Sequence, residues 1–119
     1  MILILPGGDT PIYEQIVFAI KEAIFSGEIS YGQELPPLRE LAEALQVNMH
    51  TVRHAYSLLA DEGMIEMRPG YKTRVMERAE IVSGRDDVLA NIAGKISFLL
   101  KEARWRGADQ NEIMAMVNS

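Results

Sequence analysis

The 119-residue chain has no cysteine, one tryptophan and two histidines. Without cysteine it can form no disulfide, no thiolate metal site and no cysteine nucleophile, which fits a cytoplasmic protein. Long hydrophobic runs are missing as well. The apolar opening Met1-Ile2-Leu3-Ile4-Leu5 stops at Pro6-Gly7-Gly8. That is too short to span a bilayer, and it lacks the basic start and cleavage region of a signal peptide, so no membrane partner is expected. There is no internal repeat, no phosphate-binding glycine loop, no nucleophile motif and no framed pair of catalytic carboxylates. No enzyme activity, catalytic residue or cofactor is therefore expected. His50 and His54 lie four apart on one helix face, but no third ligand stands near them in sequence, so no metal site is expected.

One local absence is more informative. The chain carries a net charge of −5, yet residues 45–60 contain no Asp or Glu. This acid-free segment overlaps residues 35–59, LPPLRELAEALQVNMHTVRHAYSLL, around which the chain is organised. Leu38, Leu41, Ala42 and Leu45 recur three and four apart and share one helix face. Val52, Ala55, Tyr56 and Leu59 repeat the pattern. Between them lies Gln46-Val47-Asn48, where Val47 can plug a corner and Asn48 can cap the second helix. Two helices joined by so short a turn cross steeply, as in a helix-turn-helix. The second helix then presents Asn48, Met49, His50, Thr51, Arg53, His54 and Ser57 outward. Amide, hydroxyl, imidazole and guanidinium groups suit base edges in a major groove, with the helix N-terminus facing a phosphate. An ordinary solvated helix face would also fit this helix taken alone.

The neighbouring segments weigh between the two. A first helix is expected from about Pro11 to Gly27, capped by Asp9 or Thr10, with Ile12, Ile16, Ala19, Ile20, Ala23 and Ile24 buried. Residues 29–35 leave room for a very short strand. After Asp61-Glu62-Gly63, residues 64–68 and 73–76 read as strands around the turn Pro69-Gly70-Tyr71-Lys72. A hairpin directly after a recognition-like helix is the order of a winged helix. From Arg68 to Arg78 there are four basic residues and one acidic, a local charge of +3 on an acidic body. A basic edge of that kind can bind DNA, with weaker non-specific affinity than a basic domain.

These segments, in order, resemble the GntR family of bacterial winged-helix transcription regulators. The matching blocks run from Pro11 to Val75. They include Pro11-Ile12-Tyr13-Glu14-Gln15-Ile16, Leu35-Pro36-Pro37-Leu38-Arg39-Glu40-Leu41-Ala42, residues 47–56, Leu59-Ala60-Asp61-Glu62-Gly63 and the Gly70 hairpin. The resemblance implies DNA contacts from Arg39, Asn48, Thr51 and Arg53, with Gly70 as the wing glycine. His50, Arg68, Tyr71 and Lys72 join the expected DNA-binding set by position. Met49 stands where many members carry a basic residue. Lys72 replaces a second wing glycine and Arg74 a common aromatic, so a stiffer, more basic wing is expected.

Beyond the wing, Leu89, Ile92, Ile96, Leu99 and Ala103 form a heptad-like stripe. Gly107 breaks this helix and Ala108-Asp109 can start another, with Ile113, Met116 and Val117 on one side. Trp105 is expected to pack between these two helices, and the hairpin and tail methionines to fill core. Two closing helices look like the YtrA-type subfamily, whose tail is a dimerisation module. The expected architecture is mostly α, with a winged helix-turn-helix domain over residues 1–78 and a helical dimerisation tail over residues 79–119. The expected function is a homodimeric, sequence-specific regulator of transcription on an inverted-repeat operator in double-stranded DNA. The resemblance further suggests a repressor of a transporter operon. Two alternatives compete with it. One is a regulator with a small-molecule effector between tail and winged helix. The other is a winged-helix protein-interaction module without DNA.

Overall fold

The computed structural model describes residues 8–119; the apolar opening, residues 1–5, lies outside them. Helices α1 (Ile12–Phe25), α2 (Leu38–Leu45) and α3 (Met49–Asp61) are followed by strands β1 (Ile65–Glu66) and β2 (Arg74–Val75). Helices α4 (Arg78–Ser83), α5 (Arg85–Trp105) and α6 (Gln110–Val117) close the chain. Two units result, the first ending at Ile81 and the second running Val82–Ser119.

The first unit is built on the expected periodicities. Ile16 and Ile20 from α1, Leu41 and Ala42 from α2, and Val52, Ala55, Tyr56 and Leu59 from α3 are buried together with Leu35, Ile65 and Val75. Each fully buried large side chain contributes about 1.5–3 kcal/mol by leaving water. Val47 packs against this core from the turn, as the sequence suggests. The face of α1 is rotated from expectation. Tyr13 and Val17 flank the core alongside Ile12 and Ile24, while Ala19 and Ala23 line shallow surface hollows beside Phe18. Capping of α1 also differs. Pro11 is itself the N-cap, with no side-chain cap, and its carbonyl accepts from the Gln15 amide at 3.1 Å. Proline sets the entry here because its fixed φ suits the turn into the helix. At the other end Gly27, at φ 85°, ends α1 as expected, in the left-handed region that glycine enters most easily.

The hairpin is short, with Ile65 opposite Val75 and Glu66 opposite Arg74. Its second strand has another neighbour. The Leu35 amide donates to the Thr73 carbonyl at 2.8 Å, the Val75 amide to the Gln33 carbonyl at 2.9 Å, and Glu34 bridges Arg74. The very short strand expected before Pro36 is therefore present as this bridge. Helix α4 has no counterpart in the sequence reading. Its start is held by the Glu77 amide, which donates to the Glu80 carboxylate at 3.1 Å.

In the second unit, α6 begins with a capping box: Asp109 accepts from the Glu112 amide at 2.8 Å, and Glu112 accepts from the Asp109 amide at 3.4 Å. The half-buried side chains here are Leu100, Ala103, Ala108 and Ile113. Trp105 does not pack between the helices; it is 81% exposed. The α5–α6 corner instead closes on small residues, with the Ala108 amide donating to the Ala103 carbonyl at 2.9 Å, and the indole is left outside with the Arg106 guanidinium 5.4 Å from its centre. Met114 and Met116 are likewise exposed rather than core-filling. The eight-residue α6 covers only part of the 21-residue α5, so the two enclose too little volume to bury more than one row of side chains between them.

Candidate nucleic-acid interface

Helix α3 starts with Asn48, whose side-chain oxygen accepts from the His50 amide at 2.8 Å. This cap fixes the first turn and commits the oxygen, leaving the amide nitrogen of Asn48 as a free-facing donor group. His50 and Arg53 are exposed one turn apart on the outer face, and Thr51 is half-buried between them in sequence. The Arg53 guanidinium lies 3.2 Å from Nδ1 of His50. His54 turns the other way and packs against Tyr13 of α1, with ring centres 4.3 Å apart and the planes tilted by 60°. The two histidines therefore have separate partners. Among the described residues no group of three or more acidic or histidine side chains is arranged to hold a metal ion.

The turn before α3 depends on Gln46. It adopts φ 57° and ψ 46°, the one left-handed non-glycine residue among those described. That conformation reverses the chain between α2 and α3 and brings Val47 onto the core. A second tie sets the two helices against each other. The buried Tyr56 of α3 donates its hydroxyl to the Pro36 carbonyl at 2.8 Å, just ahead of α2. Burial, and then the charge of Glu40, push this phenol well above its ordinary pKa. Arg39, exposed in the first turn of α2, is thereby held in a fixed relation to α3. Sequence periodicity marked Tyr56 as apolar core; its hydroxyl partner, twenty residues away, left no local signal.

The wing places Arg68, Gly70, Tyr71 and Lys72 together at its exposed tip. Gly70 has φ 81°, and the Tyr71 amide donates to the Arg68 carbonyl at 3.1 Å across the turn. The Arg68 guanidinium sits 4.1 Å from the centre of the Tyr71 ring, a cation–π contact that stiffens the tip. The basic residues of the wing have acidic partners. Glu66 pairs with Arg68 at 3.2 Å and with Arg74 at 3.3 Å, Glu34 pairs with Lys72 at 3.4 Å, and Glu80 reaches Arg74 at 3.3 Å. Three acids from outside residues 68–78 thus face three of the four basic residues there, Arg68, Lys72 and Arg74. The contrast with α3 is sharp, since that helix carries no acid before Asp61.

A helix-turn-helix braced by a third helix and followed by a small hairpin defines a winged-helix DNA-binding protein. The family model for bacterial regulatory proteins of the gntR family matches residues 12–75. The chain belongs to the GntR family, which is one of transcription regulators and not of enzymes. It is 36% identical over 115 residues to the HTH-type transcriptional repressor YtrA of Bacillus subtilis (strain 168), covering 95% of this chain and 86% of that one. In structure it is similar to a transcriptional antiterminator from Listeria monocytogenes EGD-e, with a TM-score of 0.82 and 29% identity over 99% of this chain and 87% of the other. It is also similar to the DNA-binding domain of AraR in complex with operator ORX1, with a TM-score of 0.57 and 29% identity over 62% of this chain and 95% of that one. Among the described residues no helix is long and apolar enough to cross a membrane.

Proposed function

We propose that the chain is a repressor that binds an inverted-repeat operator in double-stranded DNA as a homodimer. The observation that carries the DNA contact is the outward face of α3, which offers Asn48, His50, Thr51 and Arg53 with no acid beside them. Arg53 supplies base readout, because a guanidinium can grip guanine bidentately. Arg39 and the wing residues Arg68, Tyr71 and Lys72 hold the phosphate backbone, with Gly70 shaping the tip. Repression is the activity in the printed name of the B. subtilis relative, and it is proposed here on that likeness.

The dimer rests on α5. Leu89, Ile92, Ile96 and Leu99 leave an exposed apolar row along one side of the helix, with Ile96 51% and Leu99 63% exposed. Ala103, the last residue of the row, is half-buried and continues it towards α6. A contiguous apolar face of this kind marks an interface, and a twofold axis lets one patch cover its own copy. Sedimentation of the chain with a duplex carrying an inverted repeat tests both parts together. Two chains per duplex is the expected stoichiometry. A monomer that binds one half-site, or a dimer that ignores the duplex, would each remove one part of the proposal.

A further inference from the structure

The side chains of His50 and Arg53 form a unit on the surface where α3 is read as meeting DNA. They stand three residues apart, so they share a face of the helix. The guanidinium nitrogen approaches Nδ1 of His50 at 3.2 Å. Arginine has donors only, so this contact requires Nδ1 to be the acceptor. In the neutral imidazole the proton then sits on Nε2, which becomes a second outward donor. The Asn48 cap on the His50 amide holds the backbone of the same turn in place.

We propose that His50 is a positioning residue for Arg53: its Nδ1 holds the guanidinium in one orientation before DNA arrives. An exposed arginine otherwise samples many rotamers, and ordering it on binding lowers both affinity and discrimination. Tethering one of its nitrogens leaves the rest of the planar fork to face a base edge. The inference rests on the assignment of base readout to Arg53. It differs from a direct base contact by His50, because here the imidazole acts through its neighbour.

The test uses the full chain and a duplex recovered from a random library, together with its single-base variants. Binding is measured for the wild type, His50→Leu, His50→Gln, Arg53→Ala and the double variant His50→Leu/Arg53→Ala. Arg53→Ala should flatten preference at one base of each half-site. His50→Leu should reduce discrimination at that same base about fivefold or more, the lower range of what one bidentate pair contributes. His50→Gln keeps an acceptor on a side chain of similar reach and should restore most of it. In the Arg53→Ala background, His50→Leu should change nothing further, because coupled residues are non-additive. Thermal melting of each variant separates these effects from unfolding. Additive losses, or a loss at a different base pair, would mean that His50 touches DNA by itself and would overturn the proposal. So would full discrimination in His50→Leu. If Arg53→Ala leaves every base preference intact, the readout assignment and the positioning role fall together; if only His50→Leu is silent, the positioning role falls alone.

Discussion

Tyr56 joins the core, the helix-turn-helix and the entry to α2 through one side chain. Its ring is buried and its hydroxyl reaches the Pro36 carbonyl. Tyr56→Phe removes that bond and should cost about 1 kcal/mol, seen as a lower denaturation midpoint in urea. The raised pKa adds a pH signature. A phenol held above its ordinary value in the folded state keeps its full stabilising contribution below the unfolded pKa of about 10. That contribution is lost as pH rises further, because the unfolded chain ionises first. Urea titrations at pH 8 and pH 11 should therefore show a steeper alkaline loss in the wild type than in Tyr56→Phe; equal losses would place the phenol outside the core. At this scale the sequence is half legible. The apolar spacing of Val52, Ala55, Tyr56 and Leu59 announces their burial, and Asn48 announces its cap. The partners of Tyr56 and Glu34 come from distant segments and are decided by tertiary packing.

Among the elements, the α2–α3 turn and the wing are the informative ones. Gln46 holds a left-handed conformation that a β-branched side chain resists. Gln46→Val should cost about 1–2 kcal/mol, whereas Gln46→Gly should be tolerated. Equal thermal melting of both variants would mean that the turn does not depend on this conformation. The wing shows why a charge count along the chain misleads. Glu34 and Glu66 sit opposite Lys72, Arg68 and Arg74 because the short third strand and β1 flank β2. Lys72 is exposed and its pair with Glu34 is a surface one, so it exchanges readily for a phosphate. Glu34→Gln should strengthen binding to operator and random DNA alike. Lys72→Ala should weaken both and lower the salt slope by about one. An unchanged slope in Lys72→Ala would put the wing tip away from DNA. The helices themselves were legible from spacing alone. Helix α4 was not, because six residues are too few to display a period, and the exposed Trp105 was not, because the α5–α6 corner packs on alanines.

For the molecule as a whole, the proposed dimer connects the tail to operator recognition. Two recognition helices on one duplex gain an effective concentration of millimolar order, which can raise affinity by about 10²–10⁴ without new contacts. Ile96→Glu places a carboxylate in the middle of the exposed row of α5, where burying it against a copy costs several kcal/mol. This variant should sediment as a monomer with an intact winged helix, and it should bind a full operator no better than a half-site. A dimeric Ile96→Glu that binds normally would move the seam elsewhere. The most direct measurement of the central claim is selection of duplexes by the full chain from a random library at moderate salt. The account predicts enrichment of an inverted repeat whose half-sites are spaced for two recognition helices, with a guanine preference that Arg53→Ala abolishes. Recovery of no motif, or retention of all sequences alike, would contradict it.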